Sequence, residues 1–447
     1  MTTVQSPPAA PPTAIQRPRV VARAGLYAVL AANAAAVAWF FAQAGFASNA
    51  LIVLGRLTGL YAALVMAFQL VLVARLPWLD RRIGMDRLTS WHRWTGFALL
   101  WTLLAHVVFI SFGYAEGTDT GPIGEIVDLA ETTEGVLRAV VAFFLILVVG
   151  AVSARYARRR LAYETWHFIH LYTYVAVVLA FTHQVAVGTT FTSSSVATGY
   201  WYGVWGVALG SVVLGRAVLP LWRNWRHQFR VTAVVPENDN VVSIYISGKD
   251  LDQLPARAGQ FFLWRFLTAD RWWQANPFSL SAAPDGKTLR LTAKAAGEGS
   301  AALRHVKVGT RVFAEGPYGA FTALHRTRPE SVLIAGGVGV TPIRALLEEV
   351  QGHAVVIYRV GSDRDAVLYD ELRDLALAKG AELHLVTGPP VPDKLAAAEL
   401  ARLVPDIAER DVFLCGPPPM MNAVLGSLRE LNVPKAQTHF ERFSLAG

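Results

Sequence analysis

Residues 91–109 read WHRWTGFALLWTLLAHVVF, and residues 164–184 read ETWHFIHLYTYVAVVLAFTHQ. Each is apolar over a length that crosses a hydrocarbon layer of about 30 Å as a helix. Each also carries histidine at two depths, His92 and His106 in the first, His170 and His183 in the second, with His167 beside them. Ionisable side chains at membrane depth are costly and mark function by default. The spacings of 14 and 13 residues correspond to ~21 and ~20 Å along a helix, so the two stretches present histidines at matched heights. Two neutral imidazoles at each height are what two stacked, bis-histidine b-type haems require. Round an ideal helix, His92 and His106 lie only about 40° apart, whereas His170 and His183 lie about 140° apart, so the second helix must be bulged, tilted or approached from two sides. Interhelical hydrogen bonding, a proton relay or a metal-transport path are the alternatives for such histidines.

Six apolar stretches recur before residue 222, near 22–43, 51–74, 94–113, 136–153, 167–187 and 201–221, and only the third and fifth contain histidine. The 447-residue chain is 53% hydrophobic and 17% charged, below the usual charged share of about 25% in soluble domains, which argues against an ordinary cytosolic enzyme. The segments RLPWLDRRIGMDRLTSWHR (75–93) and SARYARRRLAYE (153–164) are Arg-rich, while YAEGTDTGPIGEIVDLAETTEG (114–135) has six acidic residues and no basic one. By the positive-inside rule the first two are cytoplasmic, the third lies outside, and both termini face the cytoplasm. The formal charge of +8 is thereby largely topological, and no nucleic-acid partner is needed to explain it. Residues 1–21 are rich in Pro, Ala and Thr and read as a disordered leader. A single cysteine, Cys415, excludes an intramolecular disulfide framework, a four-cysteine cluster and a c-type haem attachment.

After residue 226 the composition becomes that of a soluble domain. Alternating strands in FRVTAVV, NVVSIYISG, GQFFLWRF, LRLTAKA and RVFAEGPYGAF predict an antiparallel β-barrel over 226–325. From 329 to 447 the pattern is strand–turn–helix, predicting a parallel sheet with crossover helices. LIAGGVGVTPIRALL (333–347) joins a strand through a Gly-rich turn to a helix N-terminus, a nucleotide-phosphate site in which the backbone approaches closely and free N–H groups meet an anion. Arg359 and Arg364 follow the second strand, where a 2′-phosphate would sit, favouring NADPH while leaving NADH possible.

The motifs NPFSLS, KAAGEGS, GPYGAF, AGGVGVTP, CGPPPM and HFERFSL stand in the order found in the ferredoxin–NADP reductase superfamily. Preceded by a six-helix domain with paired histidines (22–221), the chain resembles the transmembrane flavocytochromes of the ferric reductase and NADPH oxidase family. The resemblance implies that Asn276, Pro277, Phe278, Ser279, Leu280 and Ser281 line the flavin of FAD, with the Ser279 hydroxyl near its reactive nitrogen. The family usually has histidine where this chain has Asn276. Lys294, Gly297, Gly299 and Ser300 would hold the FAD pyrophosphate, and Gly336, Gly337, Gly339, Thr341 and Pro342 the phosphates of the nicotinamide dinucleotide. Cys415, Gly416 and Pro417 would lie near the nicotinamide, Phe443 would stack on the flavin, and Glu441 matches a neighbouring acidic position.

The expected protein is thus an integral protein of the plasma (inner) membrane, a six-helix transmembrane bundle followed by a β-barrel FAD domain and an α/β NAD(P)-binding domain. Electrons would pass from NAD(P)H through FAD and two b-type haems, one on His92 and His170, the other on His106 and His183. The outer acceptor would be dioxygen, with chelated ferric iron or a partner redox protein as alternatives. Arg56, near the outer end of the second span, would meet a haem propionate or an anionic oxygen species, or snorkel to the interface. A histidine-lined metal transporter with a nucleotide-binding domain is the reading from a different class.

Overall fold

The computed structural model describes residues 17–158, 160–161, 163–388 and 392–441. Most of the expected leader and Phe443 therefore lie outside the described residues. The first half is helical: α1 (Arg17–Gln43), α2 (Ala50–Val73), α3 (Pro77–Ile83), α4 (Met85–Ala115), α5 (Gly121–Thr132), α6 (Val136–Ser153), α7 (Arg155–Arg158), α8 (Tyr163–Val187), α9 (Ser195–Val213) and α10 (Leu219–His227). Six helical segments, Val21–Gln43, Ala50–Val73, Arg87–Ala115, Val136–Ser153, Thr165–Val187 and Ser195–His227, are long and apolar enough to span a bilayer. Asn49 starts α2 by accepting from the N–H groups of Leu51 and Ile52, and Ser194 starts α9 by accepting from Ala197. Large apolar side chains such as Phe144 and Val207 point outward, as lipid-facing residues must, while Trp201 and Trp205 of α9 are sealed against α2 and its neighbours.

The chain divides into two compact units, one made of residues 24–75 and 87–216, the other containing 76–86 and 217–447. Three local features depart from the sequence reading. The acidic segment contains the helix α5. The sixth span does not stop near 221, because α9 passes through a π-helical turn at Leu214–Val218 into α10. Finally, α3 folds with the reductase: the Asp80 carboxylate accepts the Gly319 N–H at 2.7 Å, and His325 Nε2 donates to the Arg81 carbonyl at 2.9 Å.

The reductase begins with β1 (Arg230–Asn238), β2 (Val241–Ser247), β3 (Phe261–Phe266), β4 (Asn276–Ser279), β5 (Thr288–Lys294), α11 (Glu298–Ala301) and β6 (Val312–Tyr318). The expected barrel is not closed. The strands form two three-stranded antiparallel sheets, β1-β2-β5 and β4-β3-β6, linked by isolated bridges at Arg230–Arg311 and Leu280–Leu291. The shared core of Ile244, Ile246, Phe262, Trp264, Leu280 and Leu291 holds the sheets face to face, so burial is satisfied without a continuous ladder. Asn224 of α10 reinforces β6 by exchanging two hydrogen bonds, each 2.8 Å, with the backbone of Ala314.

Then follow β7 (Ser331–Gly336), α12 (Val340–Glu349), β8 (Ala354–Arg359), α13 (Tyr369–Lys379), β9 (Glu382–Val386), α14 (Ala397–Leu403), β10 (Asp411–Cys415), α15 (Pro418–Glu430) and β11 (Thr438–Glu441). The five strands are parallel in the order β11-β10-β7-β8-β9, as the strand–turn–helix alternation predicts. The strand order reverses beside β7, so the crevice at its C-terminal end is where such sheets bind ligands.

Candidate functional site

In the membrane unit, α4 and α8 bring the histidines together in pairs. The rings of His92 and His170 have centroids 6.1 Å apart, and His106 and His183 stand further along the same two helices. The helix α8 is unbroken from Tyr163 to Val187, so no bulge is needed. Metal–imidazole bonds run about 2.0 Å, which sets the ring centroids of two axial ligands on one iron roughly 6 Å apart. The first pair fits that requirement. Each pair also shows a ring nitrogen held from behind. His106 Nδ1 meets the Gly55 carbonyl at 2.7 Å; since a carbonyl only accepts, Nδ1 carries the proton and Nε2 keeps its lone pair. His170 Nδ1 meets Ser153 Oγ at 3.4 Å, the same hydroxyl that accepts from Trp166 Nε1 at 3.1 Å, and Trp166 stacks on the His170 ring. Nδ1 of both His92 and His183 is buried with no hydrogen-bond partner among the described residues. His167, by contrast, is exposed.

Small residues open the room for these rings. A side chain at Gly59 would put Cβ 2.6 Å from His106 Nδ1, so only glycine lets α2 approach. Gln69, buried on α2, takes the corresponding place against Gly96 one turn beyond His92. Its role carried no sequence signal. Arg56 follows Gly55, lies over the Phe41 ring, and has Nε and Nη2 buried without hydrogen-bond partners among the described residues. An orphaned cation there suits an anionic group.

In the reductase, a cavity of about 830 Å³ opens at the C-terminal ends of β7 and β8. Its lining includes the Gly336–Gly337–Val338 turn, Arg359, Arg364, Lys394, Pro417, Asn240 of the β1–β2 turn and Lys294 of β5. The turn delivers the chain into α12, whose N-terminal N–H groups are the anion site the sequence predicts. Thr341 and Pro342 are buried in the first turn of α12, and the Thr341 hydroxyl donates to the Val338 carbonyl at 3.0 Å, stiffening the loop.

The two arginines differ. The Arg359 guanidinium is turned back on carbonyls, donating to Val360, to Val386 at 3.4 Å and to Gly388 at 2.7 Å, and so clamps the ends of β8 and β9. Arg364 is exposed at the cavity rim; Lys394, a lining residue that sequence reasoning missed because it lies far along the chain from the Gly-rich turn, is half-buried and donates to the Thr387 carbonyl. Lys294 joins this cavity, whereas Gly297, Gly299 and Ser300 form a separate turn at α11, where the Ser300 hydroxyl accepts the N–H groups of Ala296 and Gly297.

The flavin-motif strand is half-hidden: Ser279, Leu280 and Ser281 are buried, Phe278 and Asn276 partly so, and Pro277 is exposed. Asn276 Nδ2 donates weakly to the carbonyls of Trp264 and Gln274 at 3.5 and 3.4 Å. Cys415 and Glu441 are register partners on β10 and β11, and Glu441 approaches Gly319 of the GPYG segment. This brings parts of the flavin and nucleotide motifs to one place. The Cys415 side chain itself is sealed in the core, and burial, with Glu441 adding to it, pushes the thiol well above its ordinary range. It is a neutral thiol packed under the turn, with its backbone carbonyl and Gly416 against Gly339.

Residues 58–181 match the family described as "Ferric reductase like transmembrane component", residues 226–322 an FAD-binding domain, and residues 333–425 an oxidoreductase NAD-binding domain. The chain is 31% identical over 259 residues to the ferredoxin reductase component of 3-ketosteroid-9-alpha-monooxygenase from Mycobacterium tuberculosis, covering 53% of this chain and 68% of that protein. It is 27% identical over 237 residues to a flavohemoprotein of Xylella fastidiosa, covering 50% of this chain and 59% of that one. Among solved structures, the FAD/NAD-binding domain of a nitric oxide dioxygenase from Vibrio cholerae is 27% identical, covering 48% of this chain and 98% of that chain with a TM-score of 0.41. The chain is an integral membrane protein and an NAD(P)H oxidoreductase, and it belongs to the ferric reductase and NADPH oxidase-like family, in which a ferric reductase-like transmembrane component is joined to a ferredoxin–NADP reductase-type FAD and NAD-binding module.

Proposed function

We propose that this protein carries electrons from cytosolic NADPH across the plasma (inner) membrane to dioxygen, releasing superoxide on the outer face. The observation that carries the reading is the approach of the His92 ring to the His170 ring, with His106 and His183 on the same two helices; these four residues would hold two b-type haems, which would supply single-electron transfer. Residues 22–221 would be the haem domain, 226–325 the FAD domain and 329–447 the nucleotide domain, with both termini cytoplasmic. When bound, FAD accepts a hydride from the nicotinamide and the two b-type haems pass electrons singly, chemistry that belongs to the cofactors.

The chain's own residues supply position and charge. The Gly336–Gly339 turn and the α12 N-terminus hold the dinucleotide phosphates, and Pro417 borders the nicotinamide end of the cavity. Ser279 presents its hydroxyl to the flavin, and the loop at Gly297, Gly299 and Ser300 takes the pyrophosphate through its backbone. The hydrogen bond from His106 to the Gly55 carbonyl fixes which ring nitrogen is free to ligate. Arg56 offers its unpaired N–H groups to a propionate or to the anionic product. Each NADPH gives up two electrons, leaving NADP+ and a proton on the cytoplasmic side, and two dioxygen molecules take one electron each.

Arg364 is the exposed cation at the rim that suits a 2′-phosphate, since Arg359 and Lys394 are occupied with carbonyls. Arg364→Glu is expected to lower kcat/KM for NADPH on the order of tenfold, with little change for NADH, because a charge-assisted hydrogen bond is worth about 1.5–3 kcal/mol. Steady-state flavin reduction with both nucleotides checks this, and an equal loss for both would contradict it.

A second reading, delivery to a partner redox protein, is supported by the monooxygenase reductase components among the relatives, and delivery to a ferric chelate by the match to the ferric reductase-like component. NADPH oxidation by the protein in vesicles, compared with oxygen, with chelated ferric iron and with neither, separates these. Reporter reduction sensitive to superoxide dismutase supports the oxidase. Oxygen-independent iron reduction selects the reductase, and activity with neither acceptor until a cytosolic fraction is added selects the partner. Purified protein with no reduced b-type absorption overturns the haem assignment and favours a transporter.

A further inference from the structure

The two lobes of the reductase meet through a part-buried network of ions. Arg290 of β5 is 5% exposed and spends its whole guanidinium. Nε donates to the Ser281 hydroxyl at 3.0 Å, Nη2 to the Ser281 carbonyl at 2.8 Å, and Nη1 to Glu371 at 2.9 Å and to the Tyr245 hydroxyl at 3.3 Å. Glu371 lies on α13, in the other lobe. Its second oxygen pairs with Arg344 Nε of α12 at 3.0 Å, and Arg344 Nη1 returns to the Ser281 carbonyl at 3.3 Å. Arg344 also pairs with Glu348, whose other oxygen accepts from the Ala283 N–H at 3.3 Å. The next residue, Glu349, accepts the Ala258 N–H at 2.9 Å.

Two features set this network apart from an ordinary surface clasp. Ser281 is the last residue of NPFSLS, and its hydroxyl also accepts from Thr292, which is bonded in turn to Ser243 across the sheet, both at 2.8 Å. The far end is no less particular, because α12 is the helix that starts at the nucleotide turn. The network therefore connects the strand expected at the flavin with the helix expected at the nucleotide phosphates. Burial opposes charge on Glu371, but hydrogen bonds and charge from Arg290 and Arg344 outweigh it and hold its carboxyl below the usual range, so it is ionised at neutral pH. Buried ion pairs often add little net stability, and an apolar interface would join the lobes as well. What ions with fixed forks provide is a defined geometry.

We propose that Arg290, Glu371 and Arg344 are positioning residues that set the nicotinamide on the flavin, a role that rests on the reading of this module as an NAD(P)H-to-FAD hydride-transfer unit. In that step the C4–H bond of the reduced nicotinamide breaks with both electrons on hydrogen, and a bond forms to N5 of the isoalloxazine. Transfer over so short a distance is sensitive to displacement, and a 1 Å misplacement costs on the order of a hundredfold. None of the three residues needs to touch either reacting ring.

The test uses the full-length protein in detergent with FAD bound, comparing wild type with Glu371→Gln and Arg290→Lys. Stopped-flow bleaching of the flavin by NADPH gives the limiting rate and its concentration dependence, FAD content and melting temperature report the fold, and dithionite bleaching reports the flavin itself. The limiting rate with NADPH is expected to fall on the order of tenfold to a hundredfold in Glu371→Gln and less in Arg290→Lys, which keeps the charge but not the fork. The NADPH concentration at half-saturation, FAD content and dithionite bleaching should stay near wild type. A wild-type limiting rate in folded Glu371→Gln overturns the proposal, as does a rate loss that only follows loss of FAD and melting temperature in both variants. Failure of wild type to be bleached by NAD(P)H overturns the parent reading, a result distinct from either.

Discussion

His106→Ala is expected to lose the outer of two b-type haems and with it transmembrane electron delivery, while NADPH still bleaches the flavin. Three observations set the size of the effect. His106 is held by the Gly55 carbonyl at 2.7 Å, so its second nitrogen is aimed and unprotonated. Gly59, the residue packed against the ring, has no side chain that could take its place. His183, the partner at that height, has a buried Nδ1 with no hydrogen-bond partner among the described residues and cannot hold a six-coordinate iron alone. The haem-to-protein ratio should fall from about two to about one, the reduced-minus-oxidised spectrum should lose one component, and outer-face reduction should drop to background. His170→Ala should remove the other component. Unchanged haem content in His106→Ala would refute the bis-histidine assignment at the outer height.

Gly339→Ala is expected to abolish reduction by NAD(P)H while leaving FAD binding intact. A Cβ at this position would fall inside contact distance of the Cys415 carbonyl oxygen, and 2.8 Å from the Gly416 nitrogen. The obstacle is backbone on the neighbouring strand end, so neither side can yield by changing rotamer. The turn must lift, and with it the N–H groups that open α12, which moves the dinucleotide phosphates by the width of a methyl group. A loss in kcat/KM with NADPH on the order of a hundredfold or more follows. FAD should be retained, because the lobe carrying the flavin motif has its own core around Ile244, Trp264 and Leu291, and dithionite bleaching should match wild type. Flavin reduction by NADPH at the wild-type rate would show that this turn does not carry the nucleotide.

These expectations show where sequence reading was sufficient. Spans of apolar residues, the Arg-rich and acidic connections, and the strand–turn–helix alternation after residue 329 are local signals, and the six membrane helices and the five-stranded parallel sheet follow from them. Helix arithmetic left one point open. Thirteen residues put His170 and His183 about 140° apart on a straight helix, so α8 must be bulged, tilted or approached from two sides. The helix is unbroken and His170 meets His92, which leaves tilt or approach from two sides. Helices that cross at an angle show each other different faces at different heights, so a single azimuth is the wrong criterion. The expected barrel failed for a related reason: alternation gives each strand an inner face but does not say whether the last ladder closes.

The sequence by itself determined the six helices of membrane-spanning length and the parallel sheet with its crossover helices, because composition and periodicity act over a few residues. Only the tertiary structure decided which side chains are available. It turned Arg359 and Lys394 onto carbonyls and left Arg364 exposed at the rim, sealed in the core the Cys415 side chain expected near the nicotinamide, and brought Asp80 to Gly319 across 239 residues and Arg290 to Glu371 across 81. A guanidinium or carboxylate bonds to whatever polar group the fold brings within 3 Å, and that partner is set by long-range packing that no local pattern records.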